Sequence, residues 1–336
     1  MTTGALIIQS QKLVDPVLLY GLDPFRNRNS DLKVKTIVVD SSDAAAAGTP
    51  HAVHRPETMV VVDTDLPLRR KTPERLGIGL LKAWISGVDR VFIVSDRVIL
   101  PNTFAQFYDE AFSTCERHYT SPCGWLNPLY DEKVFSPGFP VHMREGWTFG
   151  FKSTTDDVNV VAHMGLTRGN PEVSTLTPDK KIDKPSIRTV SFWPSGWFPI
   201  SYTNFGARRD AIPALLPVAL GVDASPALAG LLLQALAKRK GEAVTLGRPI
   251  VLRLEDAVDW PYREMNELTV IETFTLMLNR LVPQLRVGSY LDMMIEFSKL
   301  LTLRELGPWE SLFTFWPPML EAWLKRLQET DQKAAF

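Results

Sequence analysis

Val91-Phe92-Ile93-Val94-Ser95-Asp96-Arg97 begins with an unbroken apolar, mostly β-branched run and stops on polar residues. A short apolar run without polar alternation is what a strand covered on both faces requires, and such strands belong to parallel sheets. Toward the N-terminus the pattern recurs at Ala5 to Ile8, Thr36 to Val39 and Met59 to Val62, ending at Gln9, Asp40 and Asp63. Between the third and fourth runs, Pro73 to Ser86 predicts a helix, with Thr72 as N-cap, Pro73 at the first helical position and Glu74 in the first turn. Strands alternating with helices predict an α/β fold, a mostly parallel sheet with flanking helices. Open sheets of this kind bind ligands beyond the carboxyl ends of their strands, the region to which Asp40, Asp63, Asp65 and Asp96 belong.

The rest of the chain fits a globular protein. Its 336 residues are 45% hydrophobic and 22% charged, enough to bury a large core. A formal net charge of -1 gives no electrostatic basis for binding nucleic acid. The basic run Lys238-Arg239-Lys240 reads as a solvated helix end. Cys115 and Cys123 are too few for a disulfide framework and match no zinc spacing, so a reducing compartment is expected. Met1-Thr2-Thr3-Gly4 lacks a basic leader, and the apolar stretch from Ile212 to Ala237 is broken by Pro213, Pro217, Asp223 and Pro226. A cytoplasmic protein without a membrane span is expected.

After residue 260 the pattern becomes helical. Tyr262 to Arg280, Val287 to Thr302 and Trp309 to Glu329 carry apolar residues at three- and four-residue spacing, and Pro317-Pro318 predicts a break in the last. Two units are expected: 1–260 for the sheet and ligand, and 261–336 as a helical extension packed on it.

Two central stretches carry a family resemblance. One is Asn127-Pro128-Leu129-Tyr130-Asp131 running on to Gly138-Phe139-Pro140-Val141-His142-Met143-Arg144-Glu145-Gly146; the other is Phe198-Pro199-Ile200-Ser201-Tyr202-Thr203-Asn204-Phe205-Gly206. Together they resemble the reversibly glycosylated polypeptides, the UDP-arabinopyranose mutases, whose segments read roughly N-x-L-Y-D, R-G-Y-P-F-S-L-R-E-G and F-P-M-C-G-M-N. The strand layout is that of the nucleotide-binding half of a GT-A glycosyltransferase. The resemblance implies a UDP-sugar ligand, with Asp40 and Ser41 at the uridine and Asp96, Arg97, Arg144 and Asn204 toward the diphosphate and sugar. Arg144 and His163, the latter in Val160-Val161-Ala162-His163, are the catalytic candidates. It also implies oligomeric assembly, with like or unlike subunits, in which the aromatic C-terminal helix has an interface role.

Several family residues are missing. The metal-binding D-D-D falls within Val91 to Arg97, where only the last of its three carboxylates survives, as Asp96, followed by Arg97. Mn²⁺ or Mg²⁺ needs converging oxygen ligands, so no metal is assigned. Either Arg97 replaces the cation by gripping phosphate oxygens, or Asp96 and Arg97 simply end a strand. Asp63-Thr64-Asp65 is an alternative metal-binding pair. The family's sugar-accepting arginine corresponds to Pro137, which has no side-chain nucleophile. A D-D pair and a histidine ligand correspond to the neighbourhoods of Ser225-Pro226 and Arg253. Arg208 and Arg209 are further phosphate candidates, or a solvated turn beside Asp210. Two functions stay open: a divergent mutase or metal-independent glycosyltransferase on a UDP-sugar, and a catalytically silent homologue serving as a partner subunit.

Overall fold

The structure is a computed structural model that describes residues 3–10, 33–40, 58–61, 72–95, 98–101, 103–113, 117–121, 123–129, 134–145, 147–148, 150–153, 158–169, 190–191, 196–215, 225–253, 261–303 and 316–334. The four apolar runs form β1 (Thr3–Ser10), β2 (Lys33–Asp40), β3 (Thr58–Val61) and β4 (Arg90–Ser95), all mutually parallel in the order β3-β2-β1-β4. The predicted helix is α1 (Thr72–Ile85).

Burial explains why these strands lack polar alternation. Ala5, Ile7, Val91 and Ile93 point into one apolar cluster with Leu76, Leu80 and Trp84 of α1. Leu6, Phe92 and Val94 point the other way, against Phe104, Phe107 and Tyr108 of α2 (Phe104–Ser113). Both sheet faces are dry at β4, whose residues from Val91 to Val94 are fully buried.

Beyond β4 the sheet becomes mixed in direction. After the two-residue β5 (Val98–Ile99), β6 (Arg117–Thr120) and β7 (Gly150–Ser153) come β8 (Val160–Gly169), β9 (Val190–Ser191), β10 (Asn204–Arg208) and β11 (Ala243–Arg253). β10 runs antiparallel to both β4 and β8, and β11 is parallel to β8. β8 and β11 thus share the direction of the four parallel strands, whereas β10, β9, β5 and β6 run against it, which makes a mixed α/β sheet. No described helix is long and apolar enough to cross a membrane.

α3 (Ser225–Lys240) is apolar around most of its circumference and buried, with Leu228, Leu231, Leu232, Leu233 and Leu236 in the core. Its basic end is not a solvated tail. Lys238 lies 3.8 Å over the Trp197 ring and donates to the Gly196 carbonyl. Arg239 donates twice to the Leu285 carbonyl, at 3.0 and 2.8 Å, and Lys240 lies 4.3 Å over Tyr290. These cations stack on aromatic faces and satisfy carbonyls where the chain turns toward the C-terminal helices.

Those helices are α4 (Pro261–Leu281), α5 (Tyr290–Leu303) and α6 (Trp316–Ala334). Trp316 is fully buried between Phe274 of α4 and Phe297 of α5, with ring centroids at 5.5 and 5.7 Å. Pro317 and Pro318 do not break α6. They occupy its first turn, where backbone N–H groups have no intrahelical acceptor and proline costs nothing.

Arg208 and Arg209 are both engaged within the protein. Arg208 donates to Asp210 at 3.1 and 2.9 Å and to the buried Glu242 at 2.7 Å. Glu242 also accepts from Tyr290 Oη at 2.6 Å and Asn159 Nδ2 at 3.0 Å, so β10, β11 and α5 share one carboxylate. Arg209 donates to the Trp84 carbonyl, stacks 4.3 Å over that indole and reaches Asp331 of α6 at 3.4 Å.

Phe198-Pro199-Ile200 is pressed onto α3 at Gly230, where an added Cβ would lie 2.4 Å from Ile200 Cβ. Gly230→Ala would gain about 1 kcal/mol of helix propensity, but a backbone-attached neighbour cannot move aside, and overpacking of this kind costs about 1–3 kcal/mol. Urea denaturation is expected to show Gly230→Ala destabilised, and by less in an Ile200→Gly background that lacks the clashing Cβ; a stabilised single variant would refute this packing.

Candidate functional site

The chain runs from β1 outward to β2 and β3, then returns to the opposite side of β1 as β4. The strand order therefore switches between β1 and β4, the position at which open α/β sheets form a ligand crevice beyond the carboxyl ends of their strands. Ser10 and Asp40 are register partners at the last positions of β1 and β2, and Gln9 is paired with Ser95, the last residue of β4. Asp40 thus stands at the predicted strand end. Ser41, Asp63, Asp65, Asp96 and Arg97 lie outside the described residues. Among the described residues no group of three or more His, Cys, Asp or Glu side chains is placed to hold a metal ion.

The reversed strand brings the second motif to the same end. Asn204 opens β10 opposite Val94, and the Ser95 N–H donates to the Thr203 carbonyl at 3.3 Å. Ser201 Oγ donates to Thr203 Oγ1 at 2.9 Å, so two hydroxyls meet beside the end of β4. Asn204 itself is 1% exposed. Its Oδ1 accepts from Tyr108 Oη at 2.9 Å and its Nδ2 donates to the Leu166 carbonyl at 3.4 Å, so both ends of the amide are committed inside the protein.

His163 occupies the middle of β8, opposite Gly206, and is fully buried. Its Nδ1 is 2.7 Å from Thr245 Oγ1, and Phe107 and Tyr108 stand edge-on to the ring at 5.1 and 5.7 Å. A Cβ on Gly247 would come within 2.5 Å of the imidazole, so the bare backbone of β11 closes the remaining side. Nε2 has no hydrogen-bond partner among the described residues. Burial lowers the pKa to about 3, so the ring is neutral at physiological pH.

The first motif forms an aromatic loop. Asn127 is fully buried; its Nδ2 donates to the Val134 carbonyl at 2.8 Å and its Oδ1 accepts from the N–H groups of Leu129 and Ser136, each at 3.2 Å. Arg144 follows the single 3-10 turn Val141–Met143, donates to the Phe139 carbonyl at 3.1 Å and lies 5.2 Å over the Phe135 ring. Pro137 is exposed. The two motifs are joined by backbone: the Leu126 N–H donates to Trp197 O and the Trp197 N–H to Gly124 O, each at 2.8 Å. Buried Gln234 of α3 then clamps Phe198, accepting from its N–H at 3.1 Å and donating to its carbonyl at 2.8 Å.

Sequence reasoning passed over the far half of the sheet. β8 and β11 run in the same direction as β4, so Arg168 and Arg253 also lie toward the ligand end. The signal for β11 was a β-rich run ending in a cation, hidden by Gly247 and Pro249, which read as turn residues.

No family model and no curated protein matches the sequence. Among solved structures the chain is similar to a glucosyl-3-phosphoglycerate synthase from Mycobacterium tuberculosis in complex with Mn²⁺, uridine diphosphate and phosphoglyceric acid. That match has a TM-score of 0.41 and 14% identity, covering 82% of this chain and 78% of that one. It is also similar to a mannosyltransferase from Pyrobaculum calidifontis in complex with GDP-Man and Mn²⁺, with a TM-score of 0.38 and 13% identity, covering 99% of this chain and 74% of that one.

The buried imidazole has a measurable signature. Because its folded-state pKa of about 3 lies below the ordinary 6.5, the unfolded chain takes up a proton that the folded chain refuses anywhere between those values. Stability is complete above pH 6.5 and is lost as pH falls toward 3, at about 1.4 kcal/mol per pH unit from this group. Chemical denaturation at pH 7 and pH 4.5 is expected to show a smaller acid loss in His163→Asn than in the wild type; equal losses would place the imidazole in a wetter environment.

Proposed function

We propose that the chain binds a nucleotide sugar across the carboxyl ends of β1, β2 and β4 and transfers its glycosyl group. The observation that carries this reading is the switch point between β1 and β4, with Asp40 ending the neighbouring strand and the Ser201-to-Asn204 segment delivered to the same end by β10. In this reading Asp40 and Ser41 receive the uridine and ribose, and Asp96 and Arg97 face the diphosphate. Arg144 holds the loop from Phe135 to Phe139 in place beside the donor through the Phe139 carbonyl and the Phe135 ring. Asn204 and His163 act as interior supports, since each is enclosed by protein and the imidazole carries no proton to donate as an imidazolium.

The resemblance to the UDP-arabinopyranose mutases at the two motifs supports a UDP-sugar as donor. Within that class, Pro137 favours direct transfer over a route through a glycosylated side chain, because the exposed pyrrolidine offers no nucleophile. Mn²⁺ or Mg²⁺, where used, would draw on Asp96 or on Asp63 and Asp65, and would neutralise the diphosphate. The same loss at Pro137 favours one second reading, a silent homologue that serves as a partner subunit.

Calorimetric titration with UDP, UDP-glucose and UDP-arabinose, each with and without Mn²⁺, tests the proposal. Binding by the wild type is expected, weakened at least about tenfold in Asp40→Asn through loss of a charged hydrogen bond. Failure of the wild type to bind any of the three would sink the donor assignment and leave the partner-subunit reading.

A further inference from the structure

The segment from Gly196 to Ile200 lies along α3 with matched spacing. Ile200 packs on Gly230, Gln234 holds Phe198, and the Gly196 carbonyl accepts from Lys238 Nζ. Four helical residues advance about 6 Å and two extended residues about 6.6 Å, so positions 230, 234 and 238 meet 200, 198 and 196 in turn. Lys238 is the end point of this clamp and its one titratable member. It also holds the junction of the two motifs, because its amine lies 3.8 Å over the Trp197 ring. Trp197 forms a β-bridge with Trp125, and its backbone bonds to Gly124 and Leu126.

Among the described residues no carboxylate answers this amine. Residues 196–200 bring no titratable group. Cys123, on the facing segment, is bonded to Ser121 Oγ and the Trp125 carbonyl. On α3 itself, Arg239 turns to the Leu285 carbonyl and Lys240 to the Tyr290 ring. Glu242 is shared by Arg208, Tyr290, Asn159 and Lys240. The Gly196 carbonyl and the indole face both favour the cation, but neither carries a full negative charge. Burial pushes the Lys238 amine down to about 7, which leaves about half of the molecules with a neutral amine at pH 7. A neutral amine that donates N–H to a carbonyl keeps its lone pair turned away from that oxygen, free to attack an electrophile. The residue is half-buried, not enclosed. An acyl phosphate is small enough to reach such an amine unaided.

We infer that Lys238 is a modification site: its amine takes the acyl group of an acyl phosphate, and the product loosens the junction of the two motifs. The Nζ lone pair forms a bond to the acyl carbon. The carbon–oxygen bond to phosphate breaks, phosphate leaves with that electron pair, and the nitrogen loses a proton to water. The product is a neutral amide with one N–H. It has no charge to place over the indole and adds bulk between Trp197 and Gly196. This chemistry is independent of the ligand that the crevice takes.

The test treats the full-length wild type with acetyl phosphate from pH 6 to 9, beside a short reference peptide containing one lysine, and reads acetylation by peptide mass spectrometry. An ordinary lysine amine near 10.4 is neutral in only about one molecule in 2,500 at pH 7, an advantage to Lys238 that its lower basicity cancels only in part. Labelling at Lys238 is expected to be about tenfold or more faster than in the peptide at pH 7, and to level off above that pH while the peptide's rate keeps rising. A rate at Lys238 no faster than the peptide's, or rising in parallel with it to pH 9, overturns the inference. Amide hydrogen exchange then reads the effect: the Leu126 and Trp197 amides should exchange faster in the acetylated protein. Lys238→Arg, shown to be folded by thermal unfolding, keeps the cation and should exchange as before after the same treatment. Unchanged exchange in the acetylated wild type, or equal acceleration in treated Lys238→Arg, overturns the inference.

Discussion

The reversed pairing of β10 between β4 and β8 is the constraint on which the rest depends. Because β10 runs against β4, its first residue lies at the carboxyl end of β4 and its last at the amino end. The segment from Phe198 to Thr203 is thereby delivered to the crevice, while Arg208 is delivered to the opposite edge. There it joins Asp210 and Glu242 in a network that also holds Tyr290 of α5. A parallel strand in the same position would send the motif to the wrong end and leave Glu242 buried without its guanidinium, at a cost of several kcal/mol.

Legibility in the sequence followed locality. β1 and β4 were readable because burial on both faces suppresses polar alternation, and α1 because Thr72, Pro73 and Glu74 are start signals contained within one turn. α5 was placed slightly too early at Val287, which fits the apolar spacing but is 59% exposed. The helix begins at Tyr290, where Ser289 Oγ accepts from the Asp292 N–H at 3.1 Å and donates to its carboxylate at 2.6 Å. β10 and β11 were harder because their positions come from partners far away in the chain. Arg253 is opposite Val98, a pairing that no local pattern in either segment encodes.

The candidate site was legible only in part, for the same reason. Asp40 could be placed by the rule that strand ends carry ligands, since that rule needs only the strand. Asn204 and His163 could not be assigned, because an asparagine or histidine in a motif reads alike whether it faces a ligand or the core. What decides is Tyr108, supplied by α2, which bonds Asn204 and stands edge-on to His163. One phenol from a helix outside both motifs thus encloses both polar side chains.

This bears on what a motif resemblance can mean here. Asn127 satisfies one carbonyl and two N–H groups inside its own loop, Gln234 clamps both polar groups of Phe198, and Asn204 ties β10 to Tyr108 and Leu166. Each answers a buried backbone or side-chain group that would otherwise cost about 1–3 kcal/mol. These residues are therefore required by the fold whatever reaction the protein performs, whereas the exposed Pro137 stands at a position that the fold leaves open to other residues. A chain can keep the first set and alter the second without loss of stability. Its chemistry must then be sought at the carboxyl ends of the strands, where Asp40 ends β2.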